Sequence, residues 1–296
     1  MIIIKKLFII IAFLLPITIF SFKSKSSFIK KTTFFKSNTI IVHLINKDLY
    51  LDLNDYLIGV VSSEMPALFN DEALKAQAVA SRSYVLSGIS DDLINISSST
   101  NDQVYQTNYE LHDKWQDNYD TYYHKISSLV NETKNEVIKR DNKIVKTFYF
   151  SMSNGYTENS INVFSDNSLT SVKSEYENES LPNFISTKAI SSQELQNLFN
   201  LNAIEIGALE RDNTNHVIYL TINGNKYKGT QIRKILGLRS TDFTITKSEN
   251  NYLFTTKGYG HDVGMSQYGA NEMAKHGYNY KDILMHYYQN TKLTKI

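Results

Sequence analysis

Asp55–Tyr84 reads DYLIGVVSSEMPALFNDEALKAQAVASRSY. Asp55–Ser63 is predicted to be helical, with Asn54 as its N-cap. Glu64-Met65-Pro66 ends this helix, because proline disfavours helical geometry in the residue before it. A second helix follows a cap at Asn70 and runs through about Ser87, with Leu74, Ala78, Val85 and Ile89 as its apolar stripe. Glu64 therefore sits at a bend, against Met65, Pro66, Leu68 and Phe69. An apolar setting penalises the carboxylate and raises its pKa, as a general acid requires. Gln77, Ser81 and Tyr84 share one face of the second helix, and Arg82 lies about three turns into it. From spacing alone the segment also fits a plain helical hairpin with Glu64 on its surface.

Around this hairpin the chain mixes short strands and helices. Thr39–Asn46 is β-rich. Val137–Arg140 and Lys143–Phe150 are predicted to pair across Asp141-Asn142, and His216–Ile222 with Lys226–Lys228 across Asn223-Gly224. Phe243–Lys247 and Tyr252–Lys257 form a further strand pair. Helices are expected over Asn118–Val130, after the capping box Ser191–Glu194, over about Ser266–His276 with Gly277 as C-cap, and over Lys281–Tyr288. No regular βαβ repeat is present. The fold class is α+β, with mixed helices and antiparallel hairpins around a substrate groove.

The 296 residues carry 31 basic and 30 acidic side chains and no cysteine. Disulfides, thiolate metal sites and a Cys nucleophile are thereby excluded. Seven lysines and no acid fall within residues 1–36, so the remaining 260 residues carry 24 basic and 30 acidic groups. That acidic balance argues against nucleic acid as a partner. Lys5 and Lys6 precede Leu7–Phe22, LFIIIAFLLPITIFSF, which has no charge. This is an export-signal pattern without a small-x-small cleavage site. Residues 1–22 are expected to be an uncleaved membrane anchor, with a cleaved signal as the alternative. Residues 23–38 form a Lys/Ser/Thr-rich tether, and 39–296 the folded domain, outside the cytoplasm.

Three further segments could carry chemistry. Gly258–Ala270, GYGHDVGMSQYGA, holds four glycines with His261, Asp262, Ser266, Gln267 and Tyr268 between a strand and a helix. Glycine admits close backbone approach to a ligand, but the spacing does not match a dinucleotide-binding loop. Phe150–Phe164, FSMSNGYTENSINVF, contains Ser153, a turn signal at Asn154-Gly155, and Thr157. Asn101–Tyr105 supplies Gln103 and Tyr105. The seven histidines form no H-x-x-x-H pair, and no metal or cofactor is expected. A triad of Ser266, His261 and Asp262 fails because neighbours on one turn rarely aim at one another.

Taken together, YLIGVVSSEMP (56–66), EALKAQAVASRSY (72–84), QVY (103–105), Ser153–Thr157 and GHDVGMSQYGA (260–270) resemble the SpoIID/LytB family over roughly Asn46–Leu293. The resemblance implies a peptidoglycan lytic transglycosylase acting in engulfment during endospore formation. Such enzymes cut the MurNAc–GlcNAc β-1,4 bond of glycan strands denuded by an amidase partner, stage II sporulation protein P. By carry-over Glu64 is the catalytic acid/base and Arg82 supports it. Gln77, Tyr84, Gln103, Tyr105, Ser153, Thr157, His261, Asp262, Ser266, Gln267 and Tyr268 would bind substrate. Asp262 stands where the family usually has glycine, and it would either raise the pKa of Glu64 or act as a second acid. Asn101-Asp102 replace the Cys and His with which some relatives bind zinc.

One carboxylic acid suffices for this reaction, whereas a two-carboxylate hydrolase needs a second acid. The acid protonates the leaving oxygen and then takes the proton of the sugar's own C6 hydroxyl, which is already tethered. The alternatives are a non-catalytic glycan-binding enhancer or scaffold for a cell-wall amidase, and a muramidase using Glu64, Asp262 and water.

Overall fold

The computed structural model describes residues 40–296, except 90–92 and 101. The expected anchor (1–22) and tether (23–38) lie outside the described residues. Among the described residues no helix is long and apolar enough to cross a membrane.

Strand β1 (Ile41–Leu44) pairs antiparallel with β2 (Leu49–Asp52) and parallel with β3 (Leu93–Ile96). Helix α1 (Leu53–Glu64) follows β2 directly. Its N-cap is Asp52, two residues before the expected Asn54, because the Asp52 side chain accepts from Asp55 N. Helix α2 (Asp71–Leu86) starts at Asn70 as expected, the side chain accepting from Glu72 N. Every residue from Ala76 to Leu86 is buried, so α2 is covered on all sides and forms the axis of the domain. Its small residues, Ala76, Ala78, Ala80 and Ser83, admit close neighbours.

Helix α3 (Asn108–Trp115) was not anticipated, although Thr107 and Glu110 form a complete capping box. Helix α4 (Tyr119–Glu132) packs Ile126, Leu129 and Val130 inward. Strand β4 (Glu136–Arg140) pairs with β5 (Lys143–Ile144) across Asp141-Asn142. The expected second strand was longer, to Phe150. Instead the chain leaves the hairpin after Val145, Thr147 Oγ1 donates to Ala80 O of α2, and β6 (Tyr149–Phe150) pairs in parallel with β13 (Met265–Ser266). The short helix α5 (Ser160–Phe164) follows.

Residues 185–257 build a second apolar core around Leu195, Leu220, Ile232, Phe243 and Phe254. It comprises β7 (Ile185–Ser191), α6 (Ser192–Phe199), β8 (Ile206–Arg211), β9 (Val217–Ile222), β10 (Asn225–Lys228), α7 (Gly229–Leu236), β11 (Phe243–Lys247) and β12 (Asn251–Lys257). Both predicted hairpins here are present. Asn223 and Gly224 have φ of 48° and 77°, the positive values that a two-residue turn between twisted strands needs. Helices α8 (Gln267–Lys275) and α9 (Tyr280–Tyr287) return to α2 and close the first core, and β14 (Lys292–Lys295) pairs with β4. Mixed helices and sheets thus match the expected α+β class.

Candidate active site

Glu64 is the last residue of α1, where Pro66 stops the helix. The negative end of the helix dipole disfavours a carboxylate there. The side chain is half-buried, so it is shielded but reachable. Val104 N donates to Oε1 at 2.8 Å and the Tyr149 hydroxyl reaches the same oxygen at 3.5 Å. Gln267 also donates to this side chain, and the Lys114 ammonium lies within electrostatic range. Burial raises the Glu64 pKa; the donors from Val104, Tyr149 and Gln267 and the charge of Lys114 oppose it, and burial wins.

The donors are themselves held. Gln103 Nε2 donates to the Tyr149 hydroxyl at 2.9 Å and to Ser81 O at 3.3 Å, while its Oε1 accepts from Tyr56 at 2.8 Å. Gln267 Nε2 also donates to Gln77 Oε1 at 3.4 Å, and Gln77 Nε2 donates to Ser81 Oγ at 3.0 Å. Burial, then the charge of Glu64, push the Tyr149 phenol well above its usual range, so it stays a neutral donor. Tyr149 also lines a cavity of about 190 Å³ with Tyr84, Thr100, Asp102, Phe148, Phe164 and His261. Tyr84 and Asp102 continue into a second depression of about 430 Å³ that includes Lys146. The aromatic lining of the first cavity, reached from Glu64 through Tyr149, suits the apolar faces of sugars.

The structure thus gathers Gln77, Gln103 and Gln267 around Glu64, and Tyr84 and His261 around the adjoining cavity. His261 is a neutral ring, because burial and then Arg233 pull its pKa down to about 4. Tyr105 stacks on Tyr56, and Tyr268 packs edge-on to Phe69.

Arg82 is placed elsewhere. Its guanidinium donates to Thr133 O at 2.8 Å and Val130 O at 3.3 Å, closing the carbonyl end of α4, and to Glu136 O at 3.1 Å at the start of β4. It borders a cavity with Leu53, Asn54 and Leu57, in the first turns of α1, whereas Glu64 ends that helix roughly 10–16 Å further along. The expected supporting role beside Glu64 gives way to a helix-capping one.

Ser153, Thr157 and Ser266 are likewise beneath the groove rather than in it, each no more than 1% exposed. Thr157 Oγ1 accepts from Val172 N at 2.8 Å. Ser153 N, Ser153 Oγ, Ser174 Oγ and Ser266 Oγ all donate to Glu177, at 2.8, 2.7, 2.5 and 2.7 Å. Burial raises this carboxyl to about 7 against the pull of its donors. Gly269 is required here, since a Cβ would collide with Glu177, Ser174 and Tyr287. The GMSQYGA stretch is therefore shaped on one side by Glu177, while Gln267 reaches Glu64 on the other.

Asp262 is 1% exposed and faces His216 Nε2 at 3.4 Å. It is not among the groups acting on Glu64, so neither its expected effect on that pKa nor its use as a second acid fits this placement. Its φ of +64° shows that aspartate does take the left-handed turn expected at this position.

Sequence reasoning missed Tyr149, Val104 N, Lys114 and Glu177. Val104 lies in the QVY stretch already singled out, and Lys114 follows the Thr107–Glu110 capping box that opens its helix. Tyr149 is one aromatic among many, and Glu177 lies in a loop whose long-range partners no local pattern reveals.

Residues 43–139 match the family model for stage II sporulation protein, SpoIID. The chain is 37% identical over 258 residues to stage II sporulation protein D of Bacillus subtilis (strain 168), covering 83% of this chain and 75% of that one. It is 36% identical to stage II sporulation protein D of Bacillus amyloliquefaciens over the same shares. It is also 27% identical to a protein of Bacillus subtilis (strain 168) named amidase enhancer, over 80% of this chain and 40% of that one.

Proposed function

The chain belongs to the stage II sporulation protein D family, and from that premise we propose that it is a peptidoglycan lytic transglycosylase with Glu64 as its single acid/base. The observation that carries this reading is the half-buried carboxyl at the end of α1, with a raised pKa and held by Val104 N. In this reading Oε2, which neither Val104 N nor Tyr149 engages, carries the transferable proton. Oε2–H protonates the glycosidic oxygen as the C1–O bond breaks. The carboxylate then accepts the C6 hydroxyl proton while O6 bonds to C1, giving a 1,6-anhydro end and consuming no water. Nothing in this sequence needs a second acid, and the buried pairing of Asp262 with His216 argues against the muramidase alternative.

The substrate in this reading is a glycan strand stripped of stem peptides, supplied by a cell-wall amidase such as stage II sporulation protein P. The setting is septal wall remodelling during engulfment, with the domain tethered outside the cytoplasm by residues 7–22. A second reading, a glycan-binding enhancer of an amidase, is favoured by the similarity to the amidase enhancer. Digestion of denuded and peptide-bearing strands, with products weighed by mass spectrometry, separates the readings. Anhydro ends support the transglycosylase. Reducing ends indicate a hydrolase, and binding without release indicates the enhancer.

A further inference from the structure

A second cluster of ionisable groups lies away from Glu64, where the 185–257 core meets the glycine-rich turn. His216 is fully buried on the turn between β8 and β9. Its Nδ1 faces Glu158 Oε2 at 3.6 Å, and its Nε2 faces Asp262 Oδ2 at 3.4 Å. One donor atom from each of Glu158, Asp212 and His216 lies within 4.8 Å of the other two, a span that one metal ion can bridge. Thr214 Oγ1 adds a hydroxyl, 2.8 Å from both His216 Nδ1 and Asp212 Oδ1.

The charges do not balance. Asp212 Oδ1 accepts from Thr214 N, Thr214 Oγ1 and His216 N, while Oδ2 is buried without a partner. Both oxygens of Asp262 are buried and lack a hydrogen-bond partner, although the side chain points at the imidazole. Three carboxylates converge on one imidazole; a protonated ring cancels one charge and Arg233, which acts on Asp262, a second, so one is left over. Buried charge of one sign calls for a counter-charge.

We infer that Glu158, Asp212 and His216, with Thr214 at the rim, form a binding site for one divalent transition-metal ion of the zinc or manganese kind. One imidazole nitrogen with carboxylate and hydroxyl oxygens suits those ions better than calcium or magnesium, which favour all-oxygen sets. Asp262 then plays the outer-shell part. With the ion bound it accepts a hydrogen bond from Nε2–H, now 3.4 Å away, fixing the ring so that Nδ1 faces the ion. The ion fastens three segments: the β8–β9 turn, the strand-like stretch at Glu158, which bridges to Val263, and the turn that carries Asp262. Its role is structural, holding the 185–257 core against the segment that delivers Gln267 to Glu64. This departs from the absence of metal expected from sequence, in which a dispersed His/carboxylate set leaves no local spacing to read.

The test uses the full-length chain, purified without a histidine tag, stripped with chelator and titrated with Zn²⁺, Mn²⁺ or Mg²⁺. Metal per chain after desalting is read by elemental analysis and affinity by calorimetry. We expect one equivalent of Zn²⁺ or Mn²⁺ to be retained, with a rise in Tm, and no retention of Mg²⁺. Asp262→Asn should weaken binding about 10–100-fold, and Asp212→Asn at least about 100-fold. Glu64→Gln should leave binding unchanged. If His216→Gln does not fold, Asp212→Asn at the half-buried rim still decides. No retained ion in the wild type, or equal retention in Asp212→Asn, would overturn the proposal and leave the cluster as an ion pair around an imidazolium.

Discussion

The Tyr149 hydroxyl reaches Glu64 Oε1 across 3.5 Å while accepting from Gln103 Nε2 at 2.9 Å. The phenol thus has its proton free for the carboxylate and its lone pair occupied. The strength of this contact depends on Gln103, which Tyr56 and Ser81 hold in turn. As Glu64 loses its proton to the substrate, the contact becomes charge-assisted, so it favours the step more than the resting state.

Tyr149→Phe removes that donor and little volume. The expected result is a fall in kcat on glycan strands of about tenfold, or ~1.4 kcal/mol of barrier, with KM little changed. The Glu64 pKa should rise further, since the hydroxyl opposes the effect of burial. Steady-state kinetics on purified strands checks both.

Lys114 tests the electrostatics from the other side. Its ammonium donates to Ser62 O at 3.0 Å, and its charge lowers the Glu64 pKa. A general acid works while protonated, so the rate falls as pH rises through its pKa. Lys114→Met should therefore move the alkaline limb of the pH–rate profile upward, by less than about one unit because solvent reaches the side chain and screens its charge. A downward shift would contradict the assignment of Glu64 as the acid.

For Arg82 the structure predicts a loss of stability rather than of chemistry. Arg82→Met leaves two carbonyls at the end of α4 and one at the start of β4 without their donor and should destabilise the fold by about 2–4 kcal/mol. Thermal unfolding together with the specific activity of the folded fraction at low temperature checks this. Unchanged Tm with lost turnover would return Arg82 to the catalytic machinery.

Glu177 gives a pH signature in stability. Its carboxyl is raised to about 7 in the folded state from an ordinary 4.5, so the native chain binds the extra proton between these values. Stability contributed by this group is fully present below about pH 4.5 and is lost as pH rises towards 7, by up to ~1.4 kcal/mol per unit. Glu177→Gln should flatten that slope in chemical denaturation across the same window, and should lower the overall stability by leaving serine donors mismatched.

Much of the frame was legible in the sequence, for local reasons. Asn70, Ser191 and Asn223-Gly224 act through their own backbone neighbours, and the structure places them as caps and turn. Glu64 was legible because Pro66 fixes the end of its helix. The surroundings of Glu64 were not, because Val104, Tyr149 and Gln267 arrive from three distant segments. Serines 153 and 266 look like surface ligands in a loop, and only the fold reveals that both turn inward to Glu177. Arg82 misled for a similar reason: a charged residue in a motif suggests chemistry, while its partners are carbonyls some fifty residues away.

The most direct test of the account compares wild type with Glu64→Gln on denuded glycan strands, following strand binding and the release of ends. The wild type should release 1,6-anhydro ends, and the variant should bind the strands with similar affinity and release none. Continued release of anhydro ends by Glu64→Gln would contradict the claim that this one side chain gives and reclaims the proton.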